Sequence, residues 1–271
     1  MGPRLIVTFS VSAARSGRRW IFGIGSSSYH PIGRYVEAAF DARGIVPHRG
    51  DILRDAARSR STEAPDPSGP ALRWRVVRPT GGPYRPAMIA ADEVRIATGR
   101  VVSLAVARGE GLVLAGASGA GKSLLLRRLA DLDPGAGRLT LDGRDCAAIS
   151  APDYRRRVAL VPAEPAFWRP SLRDHAPDAD FEAVGLDGAR PAAPVTSLSS
   201  GERMRGAIAL AVARNPQVLL LDEPTGPLDP RATGVIEALL LRLTAAGTAV
   251  ILTSHDPEQP RRLGFRLLSL P

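Results

Sequence analysis

Short apolar runs alternate with longer amphipathic segments from Met88 to the end of the chain. Runs that are continuously apolar, or that alternate apolar with polar residues, predict strands over residues 101–106, 112–115, 138–141, 158–161, 218–221, 249–252 and 265–270. Apolar positions three and four residues apart predict helices over 123–132, 202–213 and 230–246. Strands that alternate with helices predict an α/β layered fold with a largely parallel sheet.

Residues 1–87 lack a sustained period of either kind and mix Arg, Ser, Pro and Gly, with a linker-like stretch at 58–70. We therefore place a domain boundary near residue 88. Residues 1–87 are interpreted as an N-terminal extension, either disordered or produced by a misassigned start, with Met88 as the alternative first residue. The apolar run 5–11 leaves a signal peptide open, and the arginines leave open a basic arm for nucleic acid or anionic lipid.

The chain has 271 residues, of which 44% are hydrophobic, enough for one or two domains. Nearly all of the net charge of +9 lies in residues 1–87, which hold 14 arginines and 6 acidic residues. The remainder is almost balanced, so no nucleic-acid partner is expected. A single cysteine, Cys146, excludes an internal disulfide. Glu237, Arg242 and Gly247 interrupt the most apolar stretch, so no membrane-spanning helix is predicted.

A glycine-rich loop joins the predicted strand 112–115 to the helix that follows it. Its sequence, Gly116-Ala-Ser-Gly-Ala-Gly-Lys-Ser123, fits the pattern G-x-x-x-x-G-K-[ST]. Glycines let successive backbone N–H groups point at phosphate oxygens, and the helix N-terminus adds a positive end. Lys122, the only lysine of the chain, is predicted to contact the β- and γ-phosphates of a nucleotide. The Ser123 hydroxyl is predicted to bind Mg²⁺. The predicted nucleotide-binding residues of the loop are Gly116, Ser118, Gly119, Ala120, Gly121, Lys122 and Ser123.

Two carboxylates, Asp222 and Glu223, follow the apolar run 218–221. In an open parallel sheet, ligands gather at the carboxyl ends of the strands. Asp222 is therefore predicted to hold Mg²⁺, directly or through water, and Glu223 to act as the general base toward an attacking water.

Three further segments stand in a fixed order around these carboxylates. Leu198-Ser-Ser-Gly-Glu202 precedes them at the head of a predicted helix, Leu228-Asp229 follows them, and Ser254-His255-Asp256 comes after a buried strand. With the phosphate-binding loop, this ordered set resembles the ABC-type P-loop ATPases, and the resemblance covers about residues 88–271.

The resemblance implies an ATP-binding, ATP-hydrolysing subunit that drives a transporter through separate permease subunits at the cytoplasmic face of the cell membrane. It implies an antiparallel β subdomain beside the parallel sheet and a short helical subdomain over about 164–214. Two such subunits, identical or different, would pack head to tail around ATP and Mg²⁺. Ser199 and Gly201 would then touch the γ-phosphate held by the other subunit, and His255 would orient the attacking water with Glu223.

Several positions depart from the family pattern. Ala163 stands where the family has a glutamine after the strand 158–161, and the adenine-stacking aromatic expected near Ile96 is missing. Within the later motifs, Ser200 replaces a glycine, Glu202 replaces the final glutamine of the signature and Pro227 precedes Leu228. The departures at residues 163 and 96 keep open a nucleotide switch that hydrolyses weakly. A soluble ABC ATPase acting in DNA repair or translation is a second alternative.

Overall fold

The computed structural model describes residues 73–75 and 86–270. The chain divides into two units, Met1–Gly82 and Pro83–Pro271. The described part of the first unit is a short strand, β1 (Arg73–Arg75). The expected boundary at residue 88 falls inside the first strand of the second unit, β2 (Ala87–Arg95), where Met88 is buried. The other interpretations of residues 1–87 lie outside the described residues.

One sheet of the second unit is antiparallel. Its strands β2, β3 (Val101–Ala107), β5 (Arg138–Leu141) and β6 (Arg144–Asp145) stand in the order β3–β2–β5–β6. Ile89 lies opposite Val106 on one side and Leu141 on the other, and all three side chains are buried. This sheet is the antiparallel subdomain that the family resemblance implied.

The other sheet is parallel throughout and carries the core. Its five strands stand in the order β10 (Arg266–Leu270), β4 (Gly111–Gly116), β9 (Ala249–Thr253), β8 (Val218–Leu221) and β7 (Val158–Val161). Every residue of β8 and β9 is buried, as expected for central strands covered on both faces. Because the strands run in one direction, their carboxyl ends share one edge of the sheet.

Six α-helices accompany the sheets within the described residues: α1 (Lys122–Leu129), α2 (Ala151–Arg157), α3 (Leu172–His175), α4 (Ser200–Val212), α5 (Pro230–Ala245) and α6 (Gln259–Leu263). None of these helices combines the length and apolarity needed to cross a bilayer. The predicted helix 123–132 ends early, at Leu129, since Asp131 adopts a left-handed conformation with φ of 55°. Helices α2, α3 and α6 are additions to the predicted elements.

The longest helix, α5, shows how local sequence sets its ends. The Asp229 carboxylate accepts a hydrogen bond from the Ala232 amide (2.9 Å), and Pro230 occupies the first helical position. Gly247, with φ of 103°, turns the chain into β9 after the helix. The predicted core positions Ile236, Leu239 and Leu240 are buried, whereas Val235 and Leu243 are only partly buried.

The segment between β7 and α4 is short and largely irregular. It holds α3 and three 3₁₀ helices, Glu182–Val184, Arg190–Ala192 and Val195–Ser197. Its apolar side chains nevertheless join the main core, since Phe181, Val184 and Leu186 are buried in the same cluster as Met204 and Ile208 of α4. This packing connects the start of α4 to the parallel sheet.

Candidate active site

The predicted site residues meet at the carboxyl edge of the parallel sheet. The phosphate-binding loop follows β4, His255 follows β9 by two residues, and Asp222 and Glu223 follow β8 directly. Since β4, β9 and β8 are adjacent, the histidine stands between the loop and the carboxylates. Ala163 follows β7, the next strand along the same edge.

The loop conformation depends on two glycines. Gly116 has φ of 147°, and a Cβ there would collide with the carbonyl oxygen of Leu270 in β10. Gly121 has φ of 92°, and its Cβ would lie 2.6 Å from Cδ1 of Ile96. Arg100 also fixes the loop, since its guanidinium donates to the Ala120 carbonyl (2.5 Å). The β10 strand and the β2–β3 turn therefore hold the loop from two sides.

Lys122 lies inside this loop with only 6% of its surface exposed. Its ammonium donates to the carbonyls of Gly116 (2.9 Å) and Ala117 (3.2 Å). The first turn of α1 contains no acidic residue, so nothing offsets the positive end of the helix. The exposed Ser123 stands in that turn. The loop thus concentrates positive charge and backbone donors on one spot, as an anionic ligand such as a triphosphate requires.

Thr253, the last residue of β9, holds both carboxylate residues and is completely buried. Its hydroxyl donates to Asp222 Oδ1 (2.7 Å) and accepts from the Glu223 amide (2.8 Å). Glu223 has φ of 49°, a left-handed conformation that is costly for a residue with a side chain. The Thr253 hydroxyl therefore stabilises a strained backbone and orients the aspartate at the same time.

Glu223 and His255 form the hydrogen bond expected of a general base and its orienting partner. The distance from His255 Nε2 to Glu223 Oε1 is 2.9 Å, and because a carboxylate can only accept, the imidazole Nε2–H donates. The two side chains are 53% and 40% exposed, so a water can reach them. Asp222, by contrast, is buried.

The family signature forms the start of α4. Ser199 caps the helix: its hydroxyl accepts from the Glu202 amide (3.1 Å), while the Glu202 carboxylate accepts from the Ser199 amide (2.8 Å). A Cβ on Gly201 would lie 3.0 Å from the Pro227 carbonyl oxygen, so the signature packs closely on the segment that follows Glu223. Ser200, at the position of the missing glycine, is exposed.

A cavity of about 730 Å³ lies beside the general base. It is lined by Ala163, Glu164, Pro165, Ser200, Arg203, Glu223, Gly226 and Pro227. The position of the absent glutamine, Ala163, thus shares one cavity with Glu223 and with the start of α4. A longer side chain at residue 163 has room to extend toward the reacting groups.

The turn between β2 and β3 holds the position expected for the adenine-stacking aromatic. Ile96, near the expected position, is buried against Gly121 and supports the loop. The exposed residues of the adjoining turn are Ala97, Thr98 and Gly99, none of which offers an aromatic face to a base.

The oxygens available to a metal fit Mg²⁺. Asp222 uses Oδ1 for Thr253, and within the described part of the chain Oδ2 has no hydrogen-bond partner. The Ser123 hydroxyl also has no partner among those residues. A carboxylate and a hydroxyl oxygen, completed by phosphate oxygens and water, form the hard donor set that Mg²⁺ prefers.

Sequence reasoning missed three residues that shape the site: Thr253, Arg100 and Arg190. A polar residue that ends an otherwise apolar strand was the available signal for Thr253. The two arginines carry no local signal, because their partners, Ala120 and Glu202, lie on other elements.

The fold and this edge of the sheet define the protein as a P-loop ATPase of the ATP-binding cassette type. Residues 100–226 match the family model described as ABC transporter. The chain is 37% identical over 198 residues to the phosphate import ATP-binding protein PstB 2 of Natronomonas pharaonis, covering 62% of this chain and 70% of that protein. It is 39% identical over 179 residues to the aliphatic sulfonates import ATP-binding protein SsuB 2 of Mesorhizobium japonicum, covering 62% and 69%.

Among solved structures, a dimeric ATP-binding cassette in a post-hydrolysis state with ADP and Pi aligns with a TM-score of 0.57 and 24% identity, covering 68% of this chain and 94% of that one. This likeness concerns the fold. The chain belongs to the ABC transporter family of ATP-binding proteins. The expected family, fold class and ATPase activity of a transporter subunit are thereby confirmed.

Thr253→Val should slow ATP turnover by about 10- to 100-fold with little change in the KM for ATP. Two hydrogen bonds are lost, each worth about 1–3 kcal/mol when a buried partner is left unpaired, whereas the triphosphate is held elsewhere. Steady-state kinetics measure both constants. Thr253→Ser should restore kcat, and Thr248→Val, at the residue just before the same strand, should leave it unchanged. Normal turnover in Thr253→Val would contradict the positioning role.

Proposed function

We propose that this site hydrolyses ATP with Mg²⁺ and that the conformational cycle of a head-to-tail dimer transmits the energy to permease subunits. The observation that carries the proposal is the convergence of Lys122, Asp222, Glu223 and His255 at one sheet edge, with Glu223 hydrogen-bonded to His255 at 2.9 Å.

Each residue has a distinct part in hydrolysis. The Lys122 ammonium exchanges its carbonyl partners for β- and γ-phosphate oxygens. Glu223 orients the attacking water and accepts its proton as the water oxygen bonds to the γ-phosphorus. The bond to the β–γ bridging oxygen breaks and leaves ADP and phosphate. His255 keeps the Glu223 carboxylate in place through its Nε2–H and so orients the attacking water together with Glu223.

Asp222 and Ser123 are the residues proposed to hold Mg²⁺. The cation supplies charge neutralisation for the triphosphate when it is bound. Thr253 fixes the direction of the Asp222 carboxylate through Oδ1 and leaves Oδ2 to face the ligand.

The signature supports a second copy as the partner that completes the site. The exposed Ser199 hydroxyl accepts from the Glu202 amide and also bonds to the Glu202 carboxylate. This hydroxyl and the backbone N–H groups at the start of α4 suit the γ-phosphate of a nucleotide bound by another subunit. The solved cassette bound to ADP and Pi has a similar fold and is a dimer.

The segment between β7 and α4 is the proposed permease contact, which would hold the subunit at the cytoplasmic face of the membrane. Trp168 is 83% exposed there, the most exposed large hydrophobic side chain among the described residues. Its ring lies edge-on to His175 at 4.6 Å, and the amides of Trp168 and Arg169 point at the His175 Nε2 (3.2 Å each). An aromatic side chain held outward is a suitable interface anchor.

Glu223→Gln should retain ATP binding and lose hydrolysis by about 100-fold or more, the usual scale for removal of a general base. ATP should then accumulate a dimer, measured by sedimentation velocity, because the closed state no longer consumes its ligand. Glu258→Gln, the same change at an exposed glutamate beyond His255, is the matched control. Normal hydrolysis in Glu223→Gln would assign the base to another group.

Ala163→Gln should raise ATP turnover by at most about tenfold, the worth of one hydrogen bond to a water. The substitution extends an amide into the cavity that Glu223 lines. If Glu164, from the same cavity, already fills this role, Glu164→Ala slows turnover and Ala163→Gln adds little. Unchanged turnover in both variants, measured in the complex with the permease, would make this loop a docking surface only.

Trp168→Ala should reduce the permease-dependent stimulation of ATP hydrolysis by about tenfold, the scale of an interface anchor. Leu241→Ala, at an exposed leucine of α5, is the control. Equal stimulation of both variants in the reconstituted complex would place the permease contact elsewhere.

A further inference from the structure

The final residue of the signature is an acid in this chain and is held by a specific partner. Glu202 receives two hydrogen bonds from the Arg190 guanidinium, Nε to Oε1 and Nη2 to Oε2, each 2.6 Å long. Arg190 begins the 3₁₀ helix Arg190–Ala192, which precedes the signature. This bidentate geometry is the strong form of an arginine–carboxylate pair.

Glu202 is ionised near neutral pH, because the fold lowers its pKa. The hydrogen bonds from Arg190, with those from Ser199, outweigh its partial burial and lower the pKa of Glu202 to about 2. A lowered pKa means that the ionised form is favoured by the fold above the normal pKa of the group and is lost only as the pH falls toward 2. Protonation is therefore no route to a neutral Glu202 near pH 7.

The charge lies at the place where a phosphate would bind. Glu202 Oε2 accepts from the Ser199 amide (2.8 Å), and the Glu202 amide donates to the Ser199 hydroxyl (3.1 Å). The carboxylate thus shares the helix start with the hydroxyl proposed to contact the γ-phosphate. An uncompensated carboxylate there would repel a triphosphate and occupy a backbone donor of the helix.

We infer that Arg190 is a charge-compensating residue of the signature, which lets an acidic signature bind the triphosphate of a nucleotide held by a second copy of the chain. This inference rests on the proposed head-to-tail dimer. Arg190 acts through Glu202: it neutralises the acid and fixes its direction, so that the start of α4 presents no net negative charge to the phosphate.

A charge-compensating role and a packing role for Arg190 predict different results when Glu202 is replaced as well. If Arg190 serves packing alone, removing it harms the protein whatever residue stands at 202. If it compensates charge, its removal is harmful only while residue 202 is ionised. The net charge of the pair is zero in the native chain, −1 in Arg190→Ala, +1 in Glu202→Gln and zero again in the double variant.

The experiment measures the ATP-driven dimerisation constant of these four forms in the Glu223→Gln background by sedimentation velocity with Mg²⁺ and ATP. Arg190→Ala should weaken the dimer by about tenfold or more, the scale of an unpaired charge at an interface. Glu202→Gln should tighten it a few-fold, and the double variant should return close to the native value. Arg138→Ala, which breaks an exposed pair with Asp145 on β5 and β6, is the control for total charge and should leave the constant unchanged.

Higher salt should bring the dimerisation constants of Arg190→Ala and Glu202→Gln closer together, because screening by ions weakens an effect of charge and leaves an effect of packing unchanged. Thermal melting of each form identifies a variant that fails to fold. Equal weakening in Arg190→Ala and the double variant, or equal constants for all four forms, would overturn the inference and leave the dimer intact. Absence of an ATP-driven dimer in the Glu223→Gln parent itself would overturn the proposed function, and the inference with it.

Discussion

The common direction of the five parallel strands is the constraint on which the site depends. Backbone hydrogen bonds align β4, β9, β8 and β7 in register. Ile251 of β9, for example, lies between Leu112 of β4 and Leu220 of β8. The fully apolar strands bury the sheet between helices, so the first polar residues after each strand appear at one edge. Short chain segments that are far apart in sequence thereby reach one nucleotide without any long connecting loop.

Within that edge, positive and negative groups are kept apart until a ligand joins them. Lys122 donates to loop carbonyls and Asp222 accepts from the Thr253 hydroxyl, so each charged group has a hydrogen-bond partner in the protein alone. Both partners are neutral and weakly held compared with a phosphate or a divalent cation. An arrangement of this kind is stable by itself and still favours the exchange of partners when the ligand arrives.

Most of the sheet could be predicted from the sequence, because the apolar runs 138–141, 158–161 and 218–221 coincide with β5, β7 and β8. Strand β2 was not delimited, and α2 and α3 were missed because each is short and depends on a cap or on packing. The loop, the carboxylates and His255 were found by local patterns. Thr253 and Arg190 were not found by local patterns. Thr253 acts on the two residues that follow the neighbouring strand β8, and Arg190 acts on Glu202 of α4.

The departures from the family pattern differ in how the structure deals with them. At residue 96 an isoleucine packs against Gly121 and offers no aromatic ring to the base. At residue 202 the acid is paired with the guanidinium of Arg190. At residue 163 the cavity beside Glu223 shows space and no direct substitute, since Glu164 lines that cavity without a hydrogen bond to Glu223. Residue 163 is therefore the departure for which the described residues supply no direct replacement of the family's glutamine side chain.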